Sequence, residues 1–188
     1  VMQAKRQPGS SFKPFIYSSA LDKGYTTETV IDDSAVCYAG GNNGSQWCPK
    51  NDDGKFLGPI SLRQGLTLSR NMITVKIQND ITPQYAISYV SKFGFSESQF
   101  QPYLTMALGA NEVTPMQMAQ AYAVFANGGY LVQPYFIEKI TDANGKILAQ
   151  TAPSNIAQQQ PAIDPRNAFI MNSILKAVAK SGTGARAW

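Results

Sequence analysis

The sequence has no histidine among its 188 residues and only two cysteines, Cys37 and Cys48. Without histidine this chain cannot form a Ser–His–Asp triad, and two cysteines alone cannot complete a Cys/His zinc site. A nucleophilic serine would still need a base, because a free hydroxyl is a weak nucleophile at neutral pH. The bases that remain are carboxylates and a lysine whose pKa is lowered.

Charge is also sparse and evenly spread. Sixteen Lys and Arg residues stand against twelve Asp and Glu, a formal charge of +4, and the longest basic cluster is the pair Lys5 and Arg6. Nucleic-acid binders more often show a basic stripe or a recognisable motif. We therefore expect no nucleic-acid partner, and we interpret the aromatic residues as core.

Long apolar runs are missing as well. No run of the sequence approaches the roughly 18 apolar residues that indicate a membrane span. The first nine residues lack the apolar segment of a signal peptide, and the sequence does not begin with Met. We expect the sequence to be a piece of a longer protein.

The two cysteines lie close together in a stretch rich in Gly, Asn and Asp. They are either two unrelated thiols or a disulfide pair. We predict that Cys37 and Cys48 form a disulfide, which would imply an oxidising compartment.

Helix signals recur along the chain with similar starts and stops. Gly24, Gly94 and Gly182 are positioned as stops, and Asn144-Gly145 between two alternating runs indicates a hairpin. Residues 34–59 have no clear period, and residues 150–163 are typical of a polar linker. Helices are predicted at about 11–23, 61–68 and 72–79, and from the Thr82-Pro83, Thr114-Pro115 and Asp164-Pro165 pairs.

The stretch "RQPGSSFKPF" contains a serine three residues before a lysine, Ser10 and Lys13. On a helix this spacing puts both side chains on one face, with Cβ atoms about 5–6 Å apart. Burial or a nearby cation would favour the neutral, proton-accepting form of Lys13, and the N–H of Ser10 at a helix start could stabilise an oxyanion. The alternative is an N-cap serine followed by an exposed lysine. Ser11 does not compete, because residue 14 is proline.

A second element, "SRN", lies at a break between two predicted helices. One interpretation is a helix C-cap with Asn71 in the left-handed conformation. The other has Ser69 relaying protons beside Ser10 and Lys13, with Asn71 hydrogen-bonding a substrate amide.

Several stretches in order resemble the transpeptidase domain of class A penicillin-binding proteins. "RQPGSSFKPFIYSSALDKG" resembles the nucleophile helix and "GPISLRQGLTLSRN" the second motif. "MALGANEVTPMQMAQAYAVFANGGYLVQPYFI" resembles the helix and hairpin that follow, and "SGTGARA" the segment before the third motif. The resemblance covers nearly the whole chain.

The resemblance implies that Ser10 is the nucleophile and Lys13 its general base, with Ser69 as proton relay and Asn71 as ligand for the substrate or drug amide. The implied partners are peptidoglycan stem peptides, a D-Ala-D-Ala donor and an amine acceptor, and β-lactam antibiotics that acylate the same serine. No cofactor and no metal is implied. The implied location is the periplasmic face of a bacterial inner membrane, with a membrane anchor outside this chain.

The third motif of that family, K-T-G, is absent. "KSGTG" at 180–184 follows a helix instead of beginning a strand. We therefore expect residues 1–188 to be a partial domain of the α+β, β-lactamase/transpeptidase-like class: mainly the helical subdomain with one hairpin, its flanking sheet strands absent from the chain. Alone it should be a poor enzyme, with Phe12, Phe15 and Ile16 partly uncovered.

Two other functions remain open. A serine β-lactamase-like hydrolase would need a carboxylate to activate the deacylating water, and none of the four glutamates lies in an E-x-x-x-N context after the second motif. A non-catalytic helical binding module would keep the pattern without chemistry. A labelled penicillin distinguishes the three.

Overall fold

The computed structural model describes residues 2–40, 45–152 and 159–187. A 3₁₀ turn, Gly9–Phe12, leads directly into the first α-helix. The helices are α1 (Lys13–Asp22), α2 (Leu62–Thr67), α3 (Asn71–Ile81), α4 (Pro83–Ser91), α5 (Pro115–Ala126) and α6 (Pro165–Ser181). The strands are β1 (Val30–Asp33), β2 (Tyr38–Ala39), β3 (Gln46–Trp47), β4 (Gly58–Ser61), β5 (Lys139–Thr141) and β6 (Ile147–Gln150).

The helix starts follow the predicted chemistry. Thr114 Oγ1 accepts from the Gln117 N–H at 3.1 Å, and Gln117 Oε1 accepts from the Thr114 N–H at 2.9 Å, which completes a capping box. The Thr82 and Asp164 side chains cap α4 and α6 by accepting from the backbone N–H groups of Tyr85 and Arg166, and each cap residue is followed by a proline. These helix starts are confirmed because their signals are local to each helix end.

The described strands form three two-stranded antiparallel sheets, β1–β4, β2–β3 and β5–β6. The sequence predicted only the β5–β6 hairpin, whose turn includes Gly145 at φ +82°. The other pairs were missed because β1 and β4 have four residues each, β2 and β3 only two, and a 24-residue segment separates β1 from β4. We call residues 34–57 the covering loop.

Helix α1 and the turn before it are buried by this chain itself. Phe12, Phe15 and Ile16 are 1%, 0% and 0% exposed. The expectation that a missing sheet leaves them uncovered is wrong, because α3, α4 and α6 pack against α1 and aromatic rings from α5 and the segment before it cover Phe12 and Phe15. Five rings surround Phe15 with centroids 5.0–5.6 Å away: Phe12, Phe93, Phe95, Tyr122 and Phe125.

The turn that begins α1 is held by a close backbone approach. The Gly9 N–H donates to the Gly109 carbonyl at 3.3 Å, and a Cβ on Gly109 would lie 2.3 Å from the Gly9 carbonyl oxygen. Arg6 and Val113 exchange two backbone hydrogen bonds of 3.0 Å nearby. These contacts fix the position of Ser10.

The end of α6 docks on the end of α2. The Thr183 N–H donates to the Thr67 carbonyl at 3.3 Å, and a Cβ on Gly182 would lie 2.2 Å from that same oxygen. Gly182 therefore permits the close approach that brings Thr183 beside Ser10 and Ser69.

The covering loop contains a disulfide between Cys37 and Cys48, whose Cα atoms are 4.2 Å apart. The predicted linker, residues 150–163, lies partly outside the described residues. Within the described ranges, none of the helices has the length and apolar character needed to cross a bilayer.

Candidate active site

Lys13 joins the two sequence motifs. Its side chain is 0% exposed, and its Nζ donates to the Ser69 carbonyl at 2.6 Å, to Ser69 Oγ at 3.0 Å and to Asn71 Oδ1 at 2.6 Å. These three acceptors take all three N–H groups of an ammonium. The alternative of an exposed lysine is wrong for this structure.

Burial changes the protonation of this lysine. The pKa of Lys13 is lowered from 10.5 to about 8, mainly by desolvation and further by the charge of Arg70, while Asp52 acts in the opposite direction. A buried ammonium loses hydration that its partners only partly replace. Lys13 can therefore give up its proton near neutral pH far more readily than an ordinary lysine.

Ser10 and Ser11 differ although they are adjacent. Ser11 Oγ donates to the Pro8 carbonyl at 2.7 Å. Ser10 is exposed and lines an open cleft together with Ser69 and Asn71. Across the described ranges, no hydrogen bond joins Ser10 Oγ to Lys13, whose contacts go to the second motif instead.

The second motif lies in a strained turn between α2 and α3, residues 69–71, which we call the Ser69 turn. Ser69 has φ +54°, a left-handed conformation that is uncommon for any residue other than glycine. Asn71 is the first residue of α3, so the alternative of Asn71 as a left-handed cap is wrong. Such conformations concentrate at functional sites.

Asn71 connects the lysine to the covering loop. Its Oδ1 accepts from Lys13, and its Nδ2 donates to the Lys50 carbonyl at 2.8 Å. A carboxamide has a second lone pair and a second N–H. One acceptor site and one donor site of Asn71 therefore remain for a ligand.

A buried ion pair, which sequence reasoning missed, lies behind the Ser69 turn. Arg70 Nε donates to Asp33 Oδ2 at 2.9 Å, and Nη1 donates to Asp53 Oδ2 at 3.0 Å. Arg70 is 6% exposed and Asp33 is 0% exposed. The only signal in the sequence was the acidic pair Asp32-Asp33 at the end of β1. No local pattern linked it to Arg70, which lies 37 positions later.

The motif residues meet at this cleft, which has a volume of about 420 Å³. Its walls come from the start of α1, the covering loop, the Ser69 turn and the segment after α6. The lining residues are Ser10, Asn51, Asp52, Asp53, Leu68, Ser69, Arg70, Asn71 and Thr183. Among the described residues, no three His, Cys, Asp or Glu side chains group closely enough to hold a metal ion.

Residues 1–187 match the family described as penicillin binding protein transpeptidase domain. The chain is 51% identical over 183 residues to penicillin-binding protein 1A of Neisseria lactamica, an alignment that covers 96% of this chain and 23% of that protein. It is 40% identical to penicillin-binding protein 1A of Pseudomonas aeruginosa, covering 99% of this chain and 28% of that protein.

The fold is similar to a solved one. The crystal structure of penicillin-binding protein 1A from Haemophilus influenzae superposes with a TM-score of 0.89 at 33% identity, covering 98% of this chain and 32% of that one. The chain thus spans between about a quarter and a third of the length of these three relatives.

Proposed function

This chain belongs to the penicillin-binding protein transpeptidase domain family, in the class A group that includes penicillin-binding protein 1A, and from that premise we propose that it carries the acylation machinery of a serine D,D-transpeptidase. Ser10 is the nucleophile that forms the acyl-enzyme with a peptidoglycan stem peptide. β-Lactams acylate the same hydroxyl and block it.

One observation carries the proposal. Lys13 Nζ, buried and with its pKa lowered to about 8, lies within 3.0 Å of both Ser69 and Asn71, and Ser10 opens into the cleft beside them. A serine, a lowered-pKa lysine and a second hydroxyl supply a nucleophile, a base and a relay without histidine.

The partners of Lys13 suggest the order of proton transfer. The Ser69 carbonyl and Asn71 Oδ1 can only accept, so a neutral lysine keeps its two N–H groups on these two oxygens. Its lone pair is then directed at Ser69 Oγ, the one partner that can also donate. We infer that the Ser10 proton moves to Ser69 Oγ while the Ser69 proton moves to Lys13.

Acylation and transfer then follow. Ser10 Oγ attacks the carbonyl carbon of the penultimate D-Ala, and the N–H of Ser10 donates to the developing oxyanion. The C–N bond breaks, and the terminal D-Ala leaves as an amine after receiving the proton held by Lys13. An amine of a neighbouring stem peptide attacks the ester, and Ser10 regains its proton as the crosslink forms.

The partners and location belong to the same proposal. The stem-peptide donor and the acceptor amine lie outside the cytoplasm, so the site works on the periplasmic face of the inner membrane, anchored by a segment outside these residues. The Cys37–Cys48 disulfide supports an oxidising compartment.

The first test is a labelled penicillin added to the full-length natural protein and to its variants. We expect slow-turnover covalent labelling of the natural protein, none for Ser10→Ala, and acylation slowed by about 10²–10⁴ for Lys13→Ala, the range for loss of a general base. Ser11→Ala is the matched control and should label normally.

Other outcomes would contradict the proposal. Fast hydrolysis of the penicillin would indicate a β-lactamase-like hydrolase, and no labelling would indicate a binding module. Normal acylation of Lys13→Ala at neutral pH would remove the lysine from its role as base.

A further inference from the structure

We propose that Asp33 and Arg70 are positioning residues for acylation, which hold the Ser69 turn against Lys13 by tying it to the covering loop. This inference rests on the proposed function. Neither side chain needs to touch the substrate for this role, and Arg70 acts through its chain neighbours Ser69 and Asn71.

The guanidinium of Arg70 donates hydrogen bonds to three different residues. It donates to Asp33 at 2.9 Å and to Asp53 at 3.0 Å, and its third nitrogen donates to the Lys55 carbonyl. All three partners lie on β1 or the covering loop. A planar, rigid fork of donors suits such simultaneous contacts better than a lysine would.

Asp33 has its remaining hydrogen bonds satisfied within the same cluster. Its Oδ1 accepts from Asn51 Nδ2 at 2.8 Å, and its Oδ2 also accepts from the Leu57 N–H at 3.0 Å. Asn51 Oδ1 in turn accepts from the Met72 N–H at 3.2 Å in the first turn of α3. The cluster therefore connects the end of β1 both to Arg70 in the Ser69 turn and to the first turn of α3.

The backbone of Arg70 is held as firmly as its side chain. Its N–H donates to the Gly65 carbonyl at 2.8 Å, and its carbonyl accepts from Thr74 Oγ1 at 3.1 Å. Ser69, the residue directly before this anchored one, is kept at φ +54°, a conformation that persists only where surrounding contacts determine it. This conformation brings the carbonyl and hydroxyl of Ser69 to the same Nζ atom.

A buried ion pair is poor evidence for stability, because desolvation of both charges offsets their attraction. Replacement of such a pair by uncharged residues is often neutral for folding. Its presence directly behind the Ser69 turn is explained better by positioning than by stability.

Electrostatics adds a second contribution from Arg70. The charged groups that act on Lys13 are Arg70, which lowers its pKa, and Asp52, which raises it, while Asp33 and Asp53 are paired with Arg70 itself. Loss of the Arg70 charge should therefore move the pH profile of acylation to higher pH. A purely structural residue would not produce that shift.

The test measures the rate constant of penicillin acylation against pH in the full-length natural protein and three variants. Arg70→Lys keeps the charge and loses the fork. Arg70→Gln loses both, and the double variant Asp33→Asn/Arg70→Met leaves no unpaired buried charge. Arg166→Gln is the control, since Arg166 forms an exposed Arg–Asp pair at the start of α6.

We expect Arg70→Lys to acylate at least about tenfold more slowly with an unchanged pH midpoint, because misplacement of catalytic groups by even about 1 Å costs on the order of 10²-fold. Arg70→Gln should be slower still at neutral pH, with its midpoint raised. The double variant should melt at a lower temperature, because an amide at position 33 can accept only one of the two hydrogen bonds that Asp33 accepts from Asn51 and Leu57. Its loss of rate should be far larger than that change in stability explains, and Arg166→Gln should match the natural protein.

A folded double variant and a folded Arg70→Lys that both acylate at the natural rate would overturn this inference and leave the proposed function intact. A loss of rate that merely tracks the loss of melting temperature across the variants would overturn it as well. A natural protein that is not acylated at all would overturn the proposed function, and this inference with it.

Discussion

At the residue scale, two neighbouring serines differ in what their surroundings leave their hydroxyl groups free to do. Ser11 Oγ is engaged by the Pro8 carbonyl, whereas Ser10 opens into the cleft beside the second motif. The sequence excluded Ser11 by the S-x-x-K pattern alone. The structure adds a physical reason, because the Ser11 hydroxyl would have to give up a hydrogen bond to react.

The lowered pKa of Lys13 predicts how acylation depends on pH. In the proposed mechanism neutral Lys13 is the base, so the rate should rise with pH through the Lys13 pKa of about 8. We expect an increase of about tenfold from roughly pH 6 to pH 7 and a plateau above about pH 9. The measurement is the acylation rate constant of the full-length natural protein across this range.

An ordinary lysine would behave differently, since its rate would still climb about tenfold per pH unit above roughly pH 9. A profile that is flat between about pH 6 and 8 would argue against any base with this pKa.

Substitution of Ser69 would test whether the proton of Ser10 passes through the Ser69 hydroxyl. If the proton passes through Ser69 Oγ, Ser69→Ala should slow acylation by about 10²-fold or more, approaching the effect of Lys13→Ala. Stopped-flow measurement of acylation by a labelled penicillin would compare the two. Ser69→Thr keeps a hydroxyl and should retain more rate than Ser69→Ala, unless the β-branched side chain cannot adopt the left-handed turn. A nearly normal Ser69→Ala would mean that Lys13 takes the proton from Ser10 directly.

At the scale of elements, the covering loop contributes more to the site than its lack of periodicity suggests. Its Lys50 carbonyl accepts a hydrogen bond from Asn71, and its Asn51 and Asp53 side chains bind Asp33 and Arg70. Its disulfide links Cys37 to Cys48, just before these residues. Long irregular segments in compact domains are usually functional or disordered. This one is a wall of the cleft.

The disulfide should stabilise that wall. Closing a loop of about 12 residues contributes up to roughly 3 kcal/mol on the chain-entropy model, so Cys37→Ser/Cys48→Ser should lower the free energy of unfolding by up to that amount. We expect thermal unfolding of the unreduced protein and the variant to show the difference. Thiol titration of the unreduced, denatured natural protein should find neither cysteine free, and two free thiols would contradict the pairing.

At the scale of the whole molecule, the chain encloses its own core but leaves apolar surface elsewhere. The start of α1 is covered on all sides that Phe12, Phe15 and Ile16 face. Large apolar side chains are instead exposed just before the β5–β6 hairpin, on the hairpin and on α6, where Phe136 is 68%, Leu148 is 62% and Phe169 is 76% exposed. Exposed apolar patches of this kind favour aggregation or mark contacts.

We predict that the 188-residue chain, expressed alone, folds cooperatively but reacts poorly with labelled penicillin. The core supports folding, whereas the described residues contain no K-T-G strand, and the proposed mechanism assigns them a single oxyanion donor, the Ser10 N–H. Loss of one such donor typically costs about 10²–10³ in rate. Circular dichroism, size-exclusion chromatography and labelling kinetics would test folding, association and reactivity in turn. A monomer that acylates at the full-length rate would show that the site is complete without further sequence.

Much of the helical frame could be predicted because its signals are short-range. A cap residue and the proline after it are adjacent in the sequence and define a helix start by themselves. Helices α4, α5 and α6 therefore begin at the predicted pairs. Strands β1 and β4 could not be predicted, because a four-residue strand has too few positions to show a period and its partner lies far along the chain.

The amino-acid sequence by itself determined the kind of chemistry available: without histidine, a serine in S-x-x-K can use only a lysine or a carboxylate, and S-R-N downstream supplies a second hydroxyl. Only the tertiary structure decided that Lys13 is buried against Ser69 and Asn71 and that Asp33 pairs with Arg70. The reason is physical. Spacing along a helix decides which side chains share a face, but burial, desolvation and ion pairing depend on residues brought together from 37 to 58 positions away.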